Sequence, residues 1–102
     1  MAIARVWRGT TLRSNSARYL QYLKETGAKD LRRTPGNLGV TIWVRHDDGE
    51  SEFWVISVWK SKSAIRKFAG EDIEKARYYP KDKEFLLELE PKVKHYNVAF
   101  QA

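Results

Sequence analysis

Few residues in this chain could move a proton or hold a charge for chemistry, and they are scattered. His95 stands among Val93, Tyr96 and Val98, where an imidazole drawn towards neutrality could serve as a base. A satisfied core or interface histidine is the alternative. Tyr78 and Tyr79 precede Pro80 between two helical segments, a setting for a pocket rim or lid. Arg5, in the first strand-like run, suits a buried ion pair or stacking on an indole. His46 borders an Asp-Gly turn and reads as exposed. There is no Gly-rich phosphate loop, no Ser-His-Asp set and no pair of acid and base carboxylates. The two histidines are far apart in sequence and neither has carboxylates around it, so no metal site is expected. Cysteine is absent, which removes disulfides, thiolate metal sites, Fe–S clusters and thiol nucleophiles together.

The elements that must position these groups centre on SEFWVISVWKSKSAIRKFAG, residues 51–70. Phe53 to Trp59 is almost wholly β-branched or aromatic, as in a strand covered on both faces. Ala64, Ile65, Phe68 and Ala69 then fall at helical spacing, with Ser61 as N-cap and Gly70 as the residue after the helix. Upstream, Ile3 to Arg8 reads as a strand with Ile3, Arg5 and Trp7 on one face. A helix is expected from about Ser14 to Thr26 on the stripe Ala17, Tyr19, Leu20, Leu23, ended by Gly27. Leu31 to Asn37 reads as a loop, and Leu38 to Arg45 as a strand. Asp47-Asp48-Gly49-Glu50 supplies a hairpin turn to the strand at 53–59. Downstream, Glu71 to Tyr79 reads as another helical turn or two, with Ile73 and Ala76 inward. Asp82 caps a short helix burying Phe85, Leu86 and Leu89. Pro91 then opens a last strand, Val93 to Phe100.

The expected fold is α+β, a ferredoxin-like β-α-β-β-α-β order with an extra short helix before the last strand and an antiparallel sheet. Residues 1–102 read as one domain. Val40, Ile42 and Val44, with Ile56 and Val58, are the expected floor for the helices. The opposite parity comprises Arg5, Trp7, Thr41, Trp43, Phe53, Ser57 and Trp59. Such a face is too apolar to stay bare, so a second copy is expected to cover it sheet to sheet. On that basis Arg5, Trp7 and Trp59 are expected at a homodimer interface.

The chain is 42% hydrophobic and 31% charged, an ordinary folded composition. The net charge of +6 arises wholly in residues 1–46, where nine Lys/Arg face only Glu25 and Asp30. These cations are spaced out rather than clustered, so nucleic acid is not expected as a partner. An anionic small molecule or an acidic partner surface is the electrostatic alternative to a solvated face. No run approaches the ~20 apolar residues of a membrane helix, and MAIARVWRG has no signal-peptide layout; a cytoplasmic protein is expected.

Four stretches carry a resemblance to a known family: ARVWRG at 4–9, TPGNLGV at 34–40, FWVISVWKSKSAIRKFAGEDIEKARYYP at 53–80 and FLLELEPKVKHYNV at 85–98. Over nearly its whole length the chain resembles the antibiotic biosynthesis monooxygenase-like family of dimeric α+β barrels. That family includes cofactor-free oxygenases, haem-degrading enzymes and members without a known reaction. The cofactor-free branch oxidises electron-rich polycyclic phenols and anthrones to quinones, the substrate carbanion itself meeting O2. The resemblance thus implies a dry aromatic pocket with a proton acceptor and a cation, and no cofactor. Trp43, Trp54, Phe68 and Tyr79 are the expected substrate walls, with Trp7, Trp59 and Tyr78 as further aromatic material. His95 and Tyr78 are the catalytic candidates, Tyr96 a further proton-transfer candidate, and Arg5 and Arg45 the cations. The haem-degrading branch uses a strand Asn, a helix Trp and a ligating His; these positions hold Val6, Phe68 and Tyr78 here. Two other functions stay open: a non-catalytic dimeric barrel that binds a small apolar ligand, and haem binding or degradation.

Overall fold

The computed structural model describes residues 1–102. Four strands form one antiparallel sheet in the order β2-β3-β1-β4: β1 Ile3–Leu12, β2 Asn37–Asp47, β3 Glu50–Trp59 and β4 Lys94–Asn97. The helices are α1 Ser16–Glu25, α2 Gly27–Arg33, α3 Lys62–Ala69 and the single turn α4 Asp82–Phe85. This is the expected α+β ferredoxin-like arrangement. No helix is long and apolar enough to cross a membrane.

Local chemistry explains the main boundaries. The Ser61 hydroxyl accepts from the Ala64 N–H at 3.2 Å and starts α3, whose Ala64, Ile65 and Phe68 are buried. Gly70, at φ 89°, ends it. A 3-10 turn, Arg13–Asn15, leads into α1, which buries Tyr19 and Leu23 but leaves Ala17 exposed. Gly27 begins a further helix rather than only ending one. The chain bends at Thr26, and α2 runs on into Leu31–Arg33, the start of the expected loop, with Leu31 buried.

The downstream segment departs further from expectation. Residues 71–79 form turns and an isolated bridge, Lys75 to Lys92, instead of helix; the Ala76 N–H bonds the Pro91 carbonyl at 2.9 Å. Ala76 is buried even so. α4 ends at Phe85: the Leu86 N–H still closes the turn on Asp82 O at 2.8 Å, but the Leu87 N–H turns away to bond Thr10 O of β1 at 2.9 Å. Leu89, expected inward, is exposed. The last strand pairs only over Lys94–Asn97.

The sheet faces require a correction. β2 pairs with β3 so that Val40, Ile42 and Val44 lie opposite Ser57, Val55 and Phe53; β1 pairs with β3 so that Arg5 and Trp7 lie opposite Ser57 and Val55. Val40, Ile42 and Val44 do lie on the helix side, as expected. Phe53, Val55, Ser57, Trp59, Arg5 and Trp7 share that side. Trp59 is fully buried and donates its indole N–H to Ser57 Oγ at 2.9 Å. Arg5, Trp7 and Trp59 are therefore under the helices and not on the open face assigned to the dimer contact. The open face carries Ala4, Val6, Trp43, Trp54 and Tyr96. Ile56 and Val58 are on it too, contrary to expectation.

Gly9 shows how tightly the helix side is packed. A Cβ there would lie 2.4 Å from Trp7 Cη2, because the indole folds along β1 over the glycine.

Candidate functional site

Between the sheet and the helices lies one cavity walled by Trp7, Tyr19, Phe68, Tyr78 and Tyr79, with Leu23, Leu31, Val55 and Val93 filling in. Four polar side chains reach its wall: Arg5, Ser57, Arg77 and Asp82. Its free volume is about 50 Å³, on a measure where one water takes about 10–15 Å³. It thus holds a few waters as it stands, and a polycyclic ligand needs the covering segment 71–79 to yield.

Arg5 is the most unusual member. It is 4% exposed, yet no carboxylate pairs with it. Its Nη1 donates to Ile73 O and, at 3.2 Å, to His95 Nε2; its Nη2 donates to Lys75 O at 3.1 Å. Burial draws its pKa down to about 10, so it remains a cation at neutral pH. The guanidinium also faces the Phe68 ring, 5.7 Å from the centroid.

His95 sits behind Arg5 and is not part of the cavity wall. Because guanidinium only donates, Nε2 must be the acceptor and the imidazole proton must be on Nδ1. Burial, then the Arg5 charge, holds the His95 pKa below its ordinary value. Tyr78 lines the cavity, but its hydroxyl is already engaged: it donates to Glu90 O and accepts from Trp7 Nε1 at 3.3 Å. Burial raises its pKa and keeps it a neutral phenol.

Arg77 stacks on Phe68 at 4.8 Å and Tyr79 at 5.1 Å, donates to Phe68 O at 3.0 Å, and lies 3.6 Å from Asp30. Tyr79 donates to the same Asp30 at 2.7 Å. Asp82 is 4% exposed; it accepts from Tyr19 Oη at 2.9 Å and from the Tyr79 amide at 2.6 Å. Burial pushes its pKa up despite both bonds. A carboxylate has about four acceptor sites, so Asp82 retains capacity towards the cavity.

The model of the family described as antibiotic biosynthesis monooxygenase matches residues 10–76. The chain belongs to that family. Among solved structures, Rv0793 from Mycobacterium tuberculosis is similar over all of this chain and 99% of its own, at 17% identity and a TM-score of 0.67. A candidate antibiotic biosynthesis monooxygenase from Bacillus cereus covers 99% of this chain and 98% of its own, at 14% identity and TM-score 0.67. The heme-degrading protein Rv3592 from Mycobacterium tuberculosis covers 100% and 99%, at 16% identity and TM-score 0.61. At these identities the likeness concerns the fold. No curated protein sequence matches the chain.

Within this antibiotic biosynthesis monooxygenase fold, Phe68, Tyr78 and Tyr79 meet at the cavity. Trp43 and Trp54, expected as substrate walls, lie on the other face of the sheet; Trp43 is 59% exposed. Arg45 is near the far hairpin, away from the cavity, and Tyr96 is on the open face. Of the haem-branch positions, Val6 points to the open face while Phe68 and Tyr78 point to the cavity. Asp82, Arg77 and Tyr19 were not legible as site residues. Asp82 reads as a helix cap and Tyr19 as a core stripe, and no local pattern says that a buried carboxylate and a phenol meet.

Proposed function

We propose that the chain is a cofactor-independent monooxygenase-like enzyme that oxidises an aromatic or polyketide-like small molecule in the cavity between sheet and helices. The observation that carries this is the aromatic wall joined by a buried cation, Arg5, and a buried carboxylate, Asp82. Family membership supports it, since the matching family is described as antibiotic biosynthesis monooxygenase.

The reaction asks the protein for little: a substrate methylene and one O2 give a ketone and one water. Asp82 takes a proton from the activated C–H or phenolic O–H, and its raised pKa makes it a stronger base than an exposed carboxylate. The positive charge of Arg5 favours the anion that forms, in a site where water is scarce and charge interactions are strong. The resulting carbanion adds O2, which is reduced to a hydroperoxide; loss of water with the second C–H proton leaves the ketone. His95 acts through Arg5, as a positioning residue whose neutral Nε2 orients the guanidinium. Tyr78 closes the wall and stays protonated.

The open face supports a homodimer. Trp43, Tyr96 and Phe100 are 59%, 52% and 85% exposed, beside Val6, Trp54 and Ile56. A second copy laid on this face removes a patch that a soluble monomer would not leave bare.

Haem fits this cavity poorly. The one phenol at the iron-ligand position, Tyr78, has its hydroxyl tied to Glu90 O and Trp7 Nε1. Titration with hemin should therefore give no Soret shift. The proposed activity is tested by O2 uptake with a panel of anthrones and naphthols, with one ketone formed per O2. Asp82→Asn should lower kcat by about 10²–10⁴ while the fold is retained. A folded protein that consumes no O2 with any member of the panel would leave the enzymatic assignment without support.

A further inference from the structure

Buried charges in proteins are normally paired, because desolvating an ion without a partner is costly. The ion pairs of this chain are Arg8 with Glu52, Arg8 with Glu90, and Arg77 with Asp30. Every arginine in them is more exposed than Arg5, which has none. Its depressed pKa reflects burial alone, with no carboxylate close enough to offset it.

The donors of Arg5 show where the missing partner belongs. A guanidinium offers five N–H groups. Both on Nη1 and one on Nη2 are used, by Ile73 O, His95 Nε2 and Lys75 O. Nε–H and the second Nη2 hydrogen are left over. Two such parallel donors along one edge match the two oxygens of a carboxylate. The residue carrying them is part of the cavity wall, beside the Phe68 ring.

Asp82 does not fill this role. It lies more than 4 Å from Arg5, and it accepts from the Tyr79 amide and from Tyr19, whose ring meets Phe53 at 5.1 Å. Phe53 pairs with Gly9, four residues along β1 from Arg5, or roughly 13 Å of strand. The cavity is therefore polarised, with its uncompensated positive charge near β4 and its negative charge near α4.

We propose that an aromatic carboxylate occupies this cavity once segment 71–79 yields to admit it, its two oxygens along the Nε/Nη2 edge of Arg5 and its ring among the aromatic wall residues. This rests on the aromatic cavity being the site proposed above, and it adds the charge and orientation of what enters. The Asp82 end then receives the part of the molecule that gives up a proton, away from the carboxylate.

The test is calorimetric titration of the full chain with 2-naphthoate and with its neutral isostere 2-naphthamide. The acid should bind at least roughly tenfold more tightly than the amide. Arg5→Gln should abolish that preference. Equal affinity of acid and amide for the unaltered protein overturns the carboxylate assignment and leaves the aromatic cavity standing. Binding of neither overturns both. A preference that persists in a folded Arg5→Gln protein assigns it to surface cations and also overturns the proposal. If Arg5→Gln does not fold, Arg5→Lys keeps the charge for the Ile73 and Lys75 carbonyls but lacks the parallel donors. An undiminished preference in that variant shows that the paired donors are not what selects the acid, and overturns the proposal.

Discussion

Phe53 and Trp43 belong to paired strands but to opposite faces of the sheet, and substituting each by alanine separates what holds the chain folded from what holds two copies together. Phe53 is fully buried and meets Tyr19 edge-on, at 5.1 Å and 84°. Truncating such a phenylalanine costs about 3–5 kcal/mol. Unfolding entropy near the midpoint is about 2.1 cal/mol/K per residue, or about 0.2 kcal/mol/K for a chain of this length, so Tm should fall by about 20 °C. Trp43 is 59% exposed in the single chain. An aromatic side chain buries up to about 250 Å², so about 150 Å² of the indole is free. If a partner copy covers half of that, the two indoles of a dimer contribute about 4 kcal/mol at 25 cal/mol/Å². Trp43→Ala should then weaken dimerisation by about three orders of magnitude. The assays are thermal unfolding by circular dichroism at several concentrations, and sedimentation velocity from micromolar to hundred-micromolar protein. Phe53→Ala should lower Tm at every concentration. Trp43→Ala should leave a folded species that sediments as a monomer where the parent is a dimer. The face assignment is refuted if Phe53→Ala melts within a few degrees of the parent. The dimer is refuted if the parent is itself monomeric throughout that range.

Three smaller perturbations follow from local geometry. Ser61→Ala removes the hydroxyl that receives the Ala64 N–H and should cost about 1 kcal/mol, or about 5 °C in Tm; an unchanged melt would show that the cap contributes nothing. Gly36 has φ 93°, and a Cβ there would lie 2.4 Å from Ala64 Cβ, so Gly36→Ala should cost about 2–3 kcal/mol by strain and overlap, read as a lower urea midpoint. His95 has its pKa lowered in the folded protein by burial and by Arg5. The unfolded chain therefore binds the proton first, near pH 6.5, and stability falls as pH drops below that value towards the folded pKa. His95→Gln, which keeps an acceptor for Arg5, should flatten the Tm profile between pH 7.5 and 5, and an unaltered slope assigns it to another group.

Much of the fold was legible because its signals are local. Ser61 before Ala64, Ile65 and Phe68, and Gly70 after them, fix α3 without reference to anything distant. The segment 71–79 was not legible. Its Ile73 and Ala76 fall at helical spacing, but its carbonyls are taken by Arg5 from β1 and its Ala76 amide by Pro91. Bonds to partners 15 to 70 residues away in sequence leave no periodic trace. The same holds for Asp82, whose partner Tyr19 is 63 residues distant.

The face of β3 is a different case, since the information was present but not in the composition. Phe53, Val55 and Trp59 are as apolar as Trp54, Ile56 and Val58, so hydrophobic parity alone does not choose between them. The turn does. With Asp48-Gly49 as a two-residue loop and Gly49 at φ 72°, Asp47 must pair with Glu50, and partner numbers then sum to 97 along most of the hairpin. Even-numbered residues of β2 share a face with odd-numbered residues of β3, which carries Phe53, Ser57 and Trp59 under the helices along with Val40 and Val44. Pairing β1 to β3 with sums of 62 then brings Arg5 to the same side as Ser57. A one-residue longer turn would reverse β3 against β2, expose Phe53 and Trp59, and bury Trp54 in their place. The position of the one uncompensated buried cation, and with it the character of the cavity, thus depends on the length of a turn at the far end of the sheet.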